Sequence, residues 1–366
     1  MPDLRAYTTL RLGGPAGRFV EATTQDEVVA AVQEGDAAGE PLLVLAGGSN
    51  VVVADAGFPG TVVHIRTQGT RRVDGGGKAV LTVQAGEPWD PLVARCVQDG
   101  LAGVECLSGI PGSVGATPIQ NVGAYGQDVA ETVVAVRAYD RAARELVDLD
   151  AAACGFAYRS SAFKAQPGRW VVLEVTFALD RSAASRPIRY VELARALGVP
   201  IGGSAPLGAV RDAVLGLRRA KGMVLDPSDP DTTSAGSFFT NPILEPDGFA
   251  ALERRVGEQL GEDARLPRFP ELDGRVKTSA AWLIERAGFA RGHGDPATVA
   301  ISGKHSLALT NRGGGTTAQL VALAREIAGG VHDRFGVRLV PEPVFVGHAW
   351  DGLPPAPVLD DPARSA

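Results

Sequence analysis

Cysteine occurs three times in 366 residues, at Cys96, Cys106 and Cys154, and histidine five times, at His64, His293, His305, His332 and His348. An odd, sparse set of thiols without a CxxC pair excludes a disulfide framework, and no Cys/His group has the spacing of a zinc site. These residues read as buried small thiols and ordinary surface or core histidines. No apolar run reaches the roughly 18 residues that a membrane helix needs. The opening MPDLRAYTTLRLGG lacks a basic stretch followed by an apolar one, so no signal peptide is expected and the chain reads as cytoplasmic. Lysine is scarce beside arginine, and the net charge of −6 argues against nucleic acid or an anionic membrane as partner. No obligatory protein partner is evident either, while local basic pockets for small anions remain compatible. GxxxxGK[ST] is absent, which disfavours P-loop phosphoryl transfer, and no GxGxxG follows a strand, which disfavours a Rossmann dinucleotide site.

What is present is an average soluble composition, 45% hydrophobic and 21% charged, over a length that suggests two to three domains. The 46 glycines and 25 prolines predict many short elements joined by tight loops. Residues 1–70 read as one small α/β unit: a strand at RFVEA (18–22), a helix from Gln25 to Ala38, then strands at PLLVLA (41–46) and TVVHI (61–65). Residues 71–225 read as a second unit. It contains VLTVQAG, a helix near Asp90–Asp99, the strands VVAVRAYD, ELVDL and VVLEVTFAL, and a helix from about Leu207 to Ala220. Residues 226–335 form a third, with helices near Phe249–Leu260, Ala280–Ala287 and Gln319–Phe335 and a short strand at LALT (307–310). Two strand-like pieces, VRLV and PVFV, are expected to return residues 336–350 to the second unit. Residues 351–366 read as a disordered tail. Strands and helices do not alternate regularly, so the class is α+β and not a doubly wound sheet.

Five loops could carry chemistry. Gly47-Gly48-Ser49-Asn50 follows an apolar strand, where glycines let backbone N–H groups approach a phosphate; a simple turn is the bland alternative. The stretch from Ser108 to Gly126, SGIPGSVGATPIQNVGAYG, interleaves glycine and proline with small apolar residues. That suits a backbone wall against a flat or extended ligand better than a polar linker. In YRSSAFK, Arg159 could clamp a carboxylate in fork geometry, or sit in a surface ion pair. GSFFTNP places Ser237 after a glycine. It is not GxSxG and has no neighbouring histidine, so serine-hydrolase chemistry lacks support. In PEPVFVG, Glu342 lies between two prolines on a rigid backbone.

Taken together, GGSN, SGIPGSVGATPIQNVGAYG, YRSSAFK, GSFFTNP and EPVFVG follow the order and approximate spacing of one family. The chain resembles, from about Thr8 to Gly347, the UDP-N-acetylenolpyruvoylglucosamine reductases, also called UDP-N-acetylmuramate dehydrogenases. These are flavin enzymes of peptidoglycan precursor synthesis. The resemblance implies three domains: two form an FAD-binding unit of the vanillyl-alcohol-oxidase (PCMH) type, and one α/β domain binds substrate. It implies noncovalent FAD held by Gly47, Gly48, Ser49 and Asn50, and by Ser108, Gly109, Ile110, Pro111, Gly112, Ser113, Gly115, Ala116, Ile119, Gln120, Asn121, Val122, Gly123, Ala124 and Tyr125. NADPH would be the hydride-donating cosubstrate and a UDP-sugar the substrate. Ser237 would be the proton donor, with Arg159 and Glu342 polarising the substrate carboxylate region. Tyr190, in IRYVEL, resembles the loop tyrosine that closes over substrate in one subgroup. Lys221, in RRAKGMVLDP, would meet the diphosphate, and Asn241 the substrate. Ala46, Thr117 and Ser160 depart from the family pattern, which commonly has glycine, a smaller residue and aspartate there.

Two other readings follow from the same motifs. An FAD oxidase of the same superfamily would use O₂, and such oxidases often attach flavin through histidine or cysteine. No histidine lies in either glycine loop, and Cys106 sits just before the second. A non-catalytic nucleotide-binding homologue would have lost Ser237, Arg159 or Glu342, and all three are present.

Overall fold

The computed structural model describes residues 1–350, so the tail expected at 351–366 lies outside the described residues. The first sheet is parallel, with Phe58–Ile65 between Ala16–Ala22 and Leu42–Leu45. The helix Gln25–Ala38 starts at Thr24, whose hydroxyl accepts from the Glu27 N–H while the Glu27 carboxylate accepts from the Thr24 N–H; Gly39 ends it at φ 64°. Val28 and Val32 on its inner face are fully buried. They share one core with Val136 and Val175 of the next sheet, so the first two units are packed together.

That second sheet is antiparallel, in the order Glu145–Asp150, Val133–Asp140, Trp170–Arg181, Lys78–Gln84, Thr70–Gly75, with Leu101–Ala102 paired to the end of Trp170–Arg181. Trp170–Arg181 is central because Val171, Leu173, Val175, Phe177 and Leu179 all turn inward at period two. The helix Trp89–Gln98 covers this sheet, and the Trp89 indole N–H donates to the Leu107 carbonyl at 3.1 Å. Leu207–Ala220 and the short helix Val191–Leu197 pack on each other around Ile188, Leu193, Val210 and Val214.

In the third unit a three-stranded antiparallel sheet, Ser234–Ser237, Ala308–Asn311, Val299–Ile301, lies among Pro246–Leu260, Ala280–Arg286 and Thr317–Phe335. Two features differ from the sequence expectation. Leu10, Leu12 and Val52 belong to the core of this unit, so the amino-terminal segment bridges units instead of lying wholly within 1–70. The carboxy-terminal return also goes elsewhere. Val344–Val346 pairs in parallel with Val51–Val53 of the first unit, not with 71–225, and VRLV forms no strand although Val337 and Leu339 are buried. Val51–Val53 emerges from the GGSN turn as an open edge, and pairing satisfies it.

Asp55, just beyond that edge, accepts from the Thr317 and Ala318 N–H groups at 2.7 and 2.9 Å, capping the long helix Thr317–Phe335 from the first unit. We predict that Asp55→Ala lowers unfolding free energy by about 1–2 kcal/mol, as for other lost caps. Urea unfolding followed by circular dichroism measures it, and an unchanged midpoint would show that the tether carries no stability.

Candidate active site

The two glycine loops touch. A Cβ on Gly47 would lie 2.6 Å from the Gly112 Cα, and one on Gly48, at φ 57°, would lie 1.8 Å from the Tyr7 carbonyl oxygen. The Ser49 hydroxyl donates to the Pro111 carbonyl at 3.1 Å. The Asn50 amide donates to the Gln120 side-chain oxygen at 2.9 Å and to the Glu342 carbonyl at 3.4 Å. Ala46 does not need the left-handed conformation; among the described residues the non-glycines that adopt it are Arg11, Asn121, Tyr125, Arg144 and Arg159. The second loop is tied down along its length. Gly109 N–H donates to Asp90, Val114 N–H to the Glu87 carbonyl, and Gly115 N–H to the Ala85 carbonyl. Thr117 satisfies its extra hydroxyl on the Val114 carbonyl at 2.8 Å. Asn121 is a brace: its amide donates to the Ala157 carbonyl and its oxygen accepts from Ala130 N–H.

Arg159 sits in a tight turn in which Ala157 and Ser160 exchange backbone hydrogen bonds, and its φ is 51°. Glycine or asparagine is favoured there, and an arginine costs on the order of 1–2 kcal/mol. The surroundings hold the strain in place. Arg159 donates through Nη1 to the Asn121 carbonyl (3.3 Å) and through Nη2 to the Gly123 carbonyl (2.6 Å). Its Nε lies 3.4 Å from Glu342 Oε1, and Asp128 is 3.9 Å from Nη1. Burial pushes the Glu342 carboxyl above the ordinary range, while Arg159 and Lys164 pull it back.

Ser237 ends the strand Ser234–Ser237, opposite Ala308, just after Gly236 at φ 75°. The next residue, Phe238, accepts from the Glu342 N–H at 2.9 Å through its carbonyl. Ser237 and Glu342 therefore lie on neighbouring backbone segments, and Glu342 joins them to Arg159. Phe238 and Phe239 are 1% exposed and fix this crossing in the core.

The hairpin of Gly123–Ala124 and Gln127–Asp128 links this cluster to a second. Tyr125, at its turn, meets Tyr190 edge-on at 5.3 Å between ring centroids, with the Lys221 ammonium 5.7 Å from its ring. Lys221 also pairs with Glu192 at 2.5 Å. Tyr190 remains 43% exposed at the start of the helix Val191–Leu197, an element the sequence reading did not identify. Burial pushes the Tyr125 hydroxyl up to about 12. His305, read from sequence as an ordinary histidine, is held down at about 4 by burial and by Lys221, Arg291 and Arg218, so its ring is neutral at pH 7. Asn241 lies apart from both clusters in its bonding: its side-chain oxygen accepts from Ala280 N–H at the start of the helix Ala280–Arg286.

An FAD can be tested against this arrangement. The loops meet so closely that backbone, not side chain, forms the wall, and the buried Ser113 hydroxyl has no hydrogen-bond partner among the described residues. Both features suit a polar, extended cofactor. Cys106 packs instead with Ile188 and Leu193, and burial raises its thiol pKa, as it does for Cys96 (about 12) and Cys154 (about 11).

Fold and loops together define a flavin-binding protein: residues 16–150 match the sequence model described as an FAD binding domain. Residues 227–346 match that of the UDP-N-acetylenolpyruvoylglucosamine reductase C-terminal domain. The chain is 61% identical over 345 residues to the UDP-N-acetylenolpyruvoylglucosamine reductase of Thermobifida fusca, covering 94% of this chain and 96% of that one. It is 58% identical over 347 residues to the enzyme of Streptomyces coelicolor, covering 94% and 89%. The fold superposes on the crystal structure of the Thermus caldophilus enzyme with a TM-score of 0.63 at 24% identity, covering 94% and 97% of the two chains. The chain belongs to the UDP-N-acetylenolpyruvoylglucosamine reductase family.

Two outcomes are expected. Ser113→Ala should fold normally and bind FAD about 5- to 10-fold more weakly, the size of one hydrogen bond, read by titrating apoprotein against flavin fluorescence. None of the three thiols should react with a thiol reagent at pH 8 before denaturant is added; rapid labelling of Cys106 would contradict the burial described.

Proposed function

We propose that the protein reduces the enolpyruvyl group of UDP-N-acetylglucosamine enolpyruvate to UDP-N-acetylmuramate, with NADPH as the hydride donor, in cytoplasmic synthesis of peptidoglycan precursors. The observation that carries this reading is the meeting of Ser237, Glu342 and Arg159 beside the two glycine loops. Bound FAD supplies a hydride relay from NADPH to the terminal carbon of the double bond. The remaining tasks fall to the chain itself.

Arg159 is fixed by two carbonyls and one carboxylate, so its guanidinium does not have to reorganise when negative charge grows beside it. That charge grows on the carboxylate end of the substrate once the far carbon has been reduced. Glu342 is buried and holds a proton more readily than a surface carboxylate. Its oxygen, 3.4 Å from the Arg159 Nε, keeps the guanidinium aimed while that charge develops. Ser237 then donates its hydroxyl proton to the carbon next to the carboxylate. A serine is a weak acid, but an enolate is a strong base, and one positioned donor gives one stereochemistry.

The cluster around Tyr125 suits the nucleotide end. Lys221 offers a cation for the diphosphate, and Tyr190, exposed at a helix start, would fold over the substrate as in the subgroup with a closing tyrosine. Asn241 would contribute through its amide NH₂ alone, since its oxygen is engaged.

Anaerobic half-reactions test this. NADPH should bleach the bound flavin and the enolpyruvyl sugar nucleotide should restore its colour. Ser237→Ala should bleach normally and recolour about 10²–10⁴ times more slowly, the range of general-acid contributions. Recolouring at the parent rate would remove Ser237 from the proton-donating role. Arg159→Lys should slow the same half by about 10²-fold, because an ammonium cannot reproduce the planar fork.

A further inference from the structure

Lys164 is one of the few lysines of the chain and ends the YRSSAFK motif, yet the reaction described above gives it no task. It is half-buried on the short helix Ala162–Ala165. Its ammonium donates to the Arg159 main-chain carbonyl at 3.0 Å, the carbonyl that leaves the strained left-handed residue. Its backbone N–H donates to the Ser161 hydroxyl, which in turn donates to the Ile119 carbonyl in the flavin loop. A surface ion pair would explain none of these contacts: a half-buried cation has been placed against the backbone of the residue whose guanidinium meets Glu342.

Resting on the reaction reading above, we propose that Lys164 is a positioning residue, which pins the left-handed turn that aims Arg159 at Glu342. The consequence for Glu342 has a definite sign. The charged groups that act on it are Arg159 and Lys164, and both favour its ionised form against burial. Removing Lys164 frees the turn that holds the Arg159 Nε 3.4 Å from Glu342 Oε1 and takes away a second cation, so the carboxyl must titrate at higher pH. Burial holds the Lys164 ammonium below the ordinary lysine range, with Glu342 opposing that shift and Arg159 adding to it.

The test uses flavin-loaded parent protein, Lys164→Met and Lys164→Arg. With glutamate ¹³C-labelled at the carboxyl and the Glu342 resonance assigned by its loss in Glu342→Gln, Lys164→Met should raise the Glu342 midpoint. Lys164→Arg should leave it near the parent value. In the half-reactions, Lys164→Met should bleach with NADPH within twofold of the parent and recolour about 10- to 100-fold more slowly, the effect of a misplaced catalytic group. Lys164→Arg should recover most of that loss. An unmoved Glu342 midpoint overturns the proposal, as does recolouring at the parent rate. Equal slowing of both halves, or loss of the yellow colour, makes Lys164 a structural strut and overturns it too. If the parent itself is not recoloured by the enolpyruvyl sugar nucleotide, the reaction reading fails, and the titration alone then decides the role of Lys164.

Discussion

The site depends on one strained turn. Arg159 adopts a backbone conformation that its side chain disfavours, and its guanidinium is locked onto the carbonyls of Asn121 and Gly123. Asn121 returns the contact by donating to Ala157 at the head of the same turn. The turn and the second glycine loop therefore form a single unit, in which moving either displaces the other. Strain of this kind persists only where the surroundings over-determine it. Here the surroundings are the second glycine loop on one side and Glu342 on the other, so the geometry that would hold a cofactor also aims the cation that would meet the substrate.

Distant parts of the chain meet there for reasons that lie in packing. The strand Val344–Val346 closes the open edge left by Val51–Val53, and this pairing carries Glu342 to the GGSN loop. The backbone bond from Glu342 to Phe238 then brings the third unit's strand, with Ser237 at its end, to the same point. The buried pair Phe238 and Phe239 makes that crossing rigid, and the amino-terminal residues Leu10 and Leu12 bury themselves in the same core. Electrostatics follow from position. Burial raises the carboxyl of Glu342 above the ordinary range, and burial, helped by neighbouring cations, keeps the imidazole of His305 neutral.

Local features were legible in the sequence wherever local physics decides them. Gln25–Ala38 and Leu207–Ala220 have the bounds that periodicity suggested, the first fenced by a capping box and a glycine. The helix Val191–Leu197 was not read, because seven residues beside a loop leave too short a period to register. VRLV reads as a strand by alternation alone, but only its last residue joins neighbouring backbone, the Val340 carbonyl accepting from Thr240 N–H, while PVFV pairs along Val51–Val53. The return of the carboxy-terminal strand to the first unit had no sequence signal, since a three-residue parallel pairing is decided by what is left unpaired elsewhere. Family motifs pointed to Arg159, Glu342 and Ser237, but not to Glu342 as the link, its N–H on the Phe238 carbonyl and its carboxylate beside Arg159. Lys164 stood inside a quoted motif, and only its contact with the Arg159 carbonyl marks it out. Asn121 and Asn241 show the reverse: their side chains brace backbone, which a motif cannot reveal.

The most direct measurement is a crystal structure of the flavin-loaded protein with the enolpyruvyl sugar nucleotide bound under oxidising conditions. The account predicts the substrate carboxylate within hydrogen-bond distance of Arg159 and Glu342, and the Ser237 hydroxyl against the carbon beside it. A carboxylate seated elsewhere, with Arg159 still fastened only to its carbonyls, would contradict it.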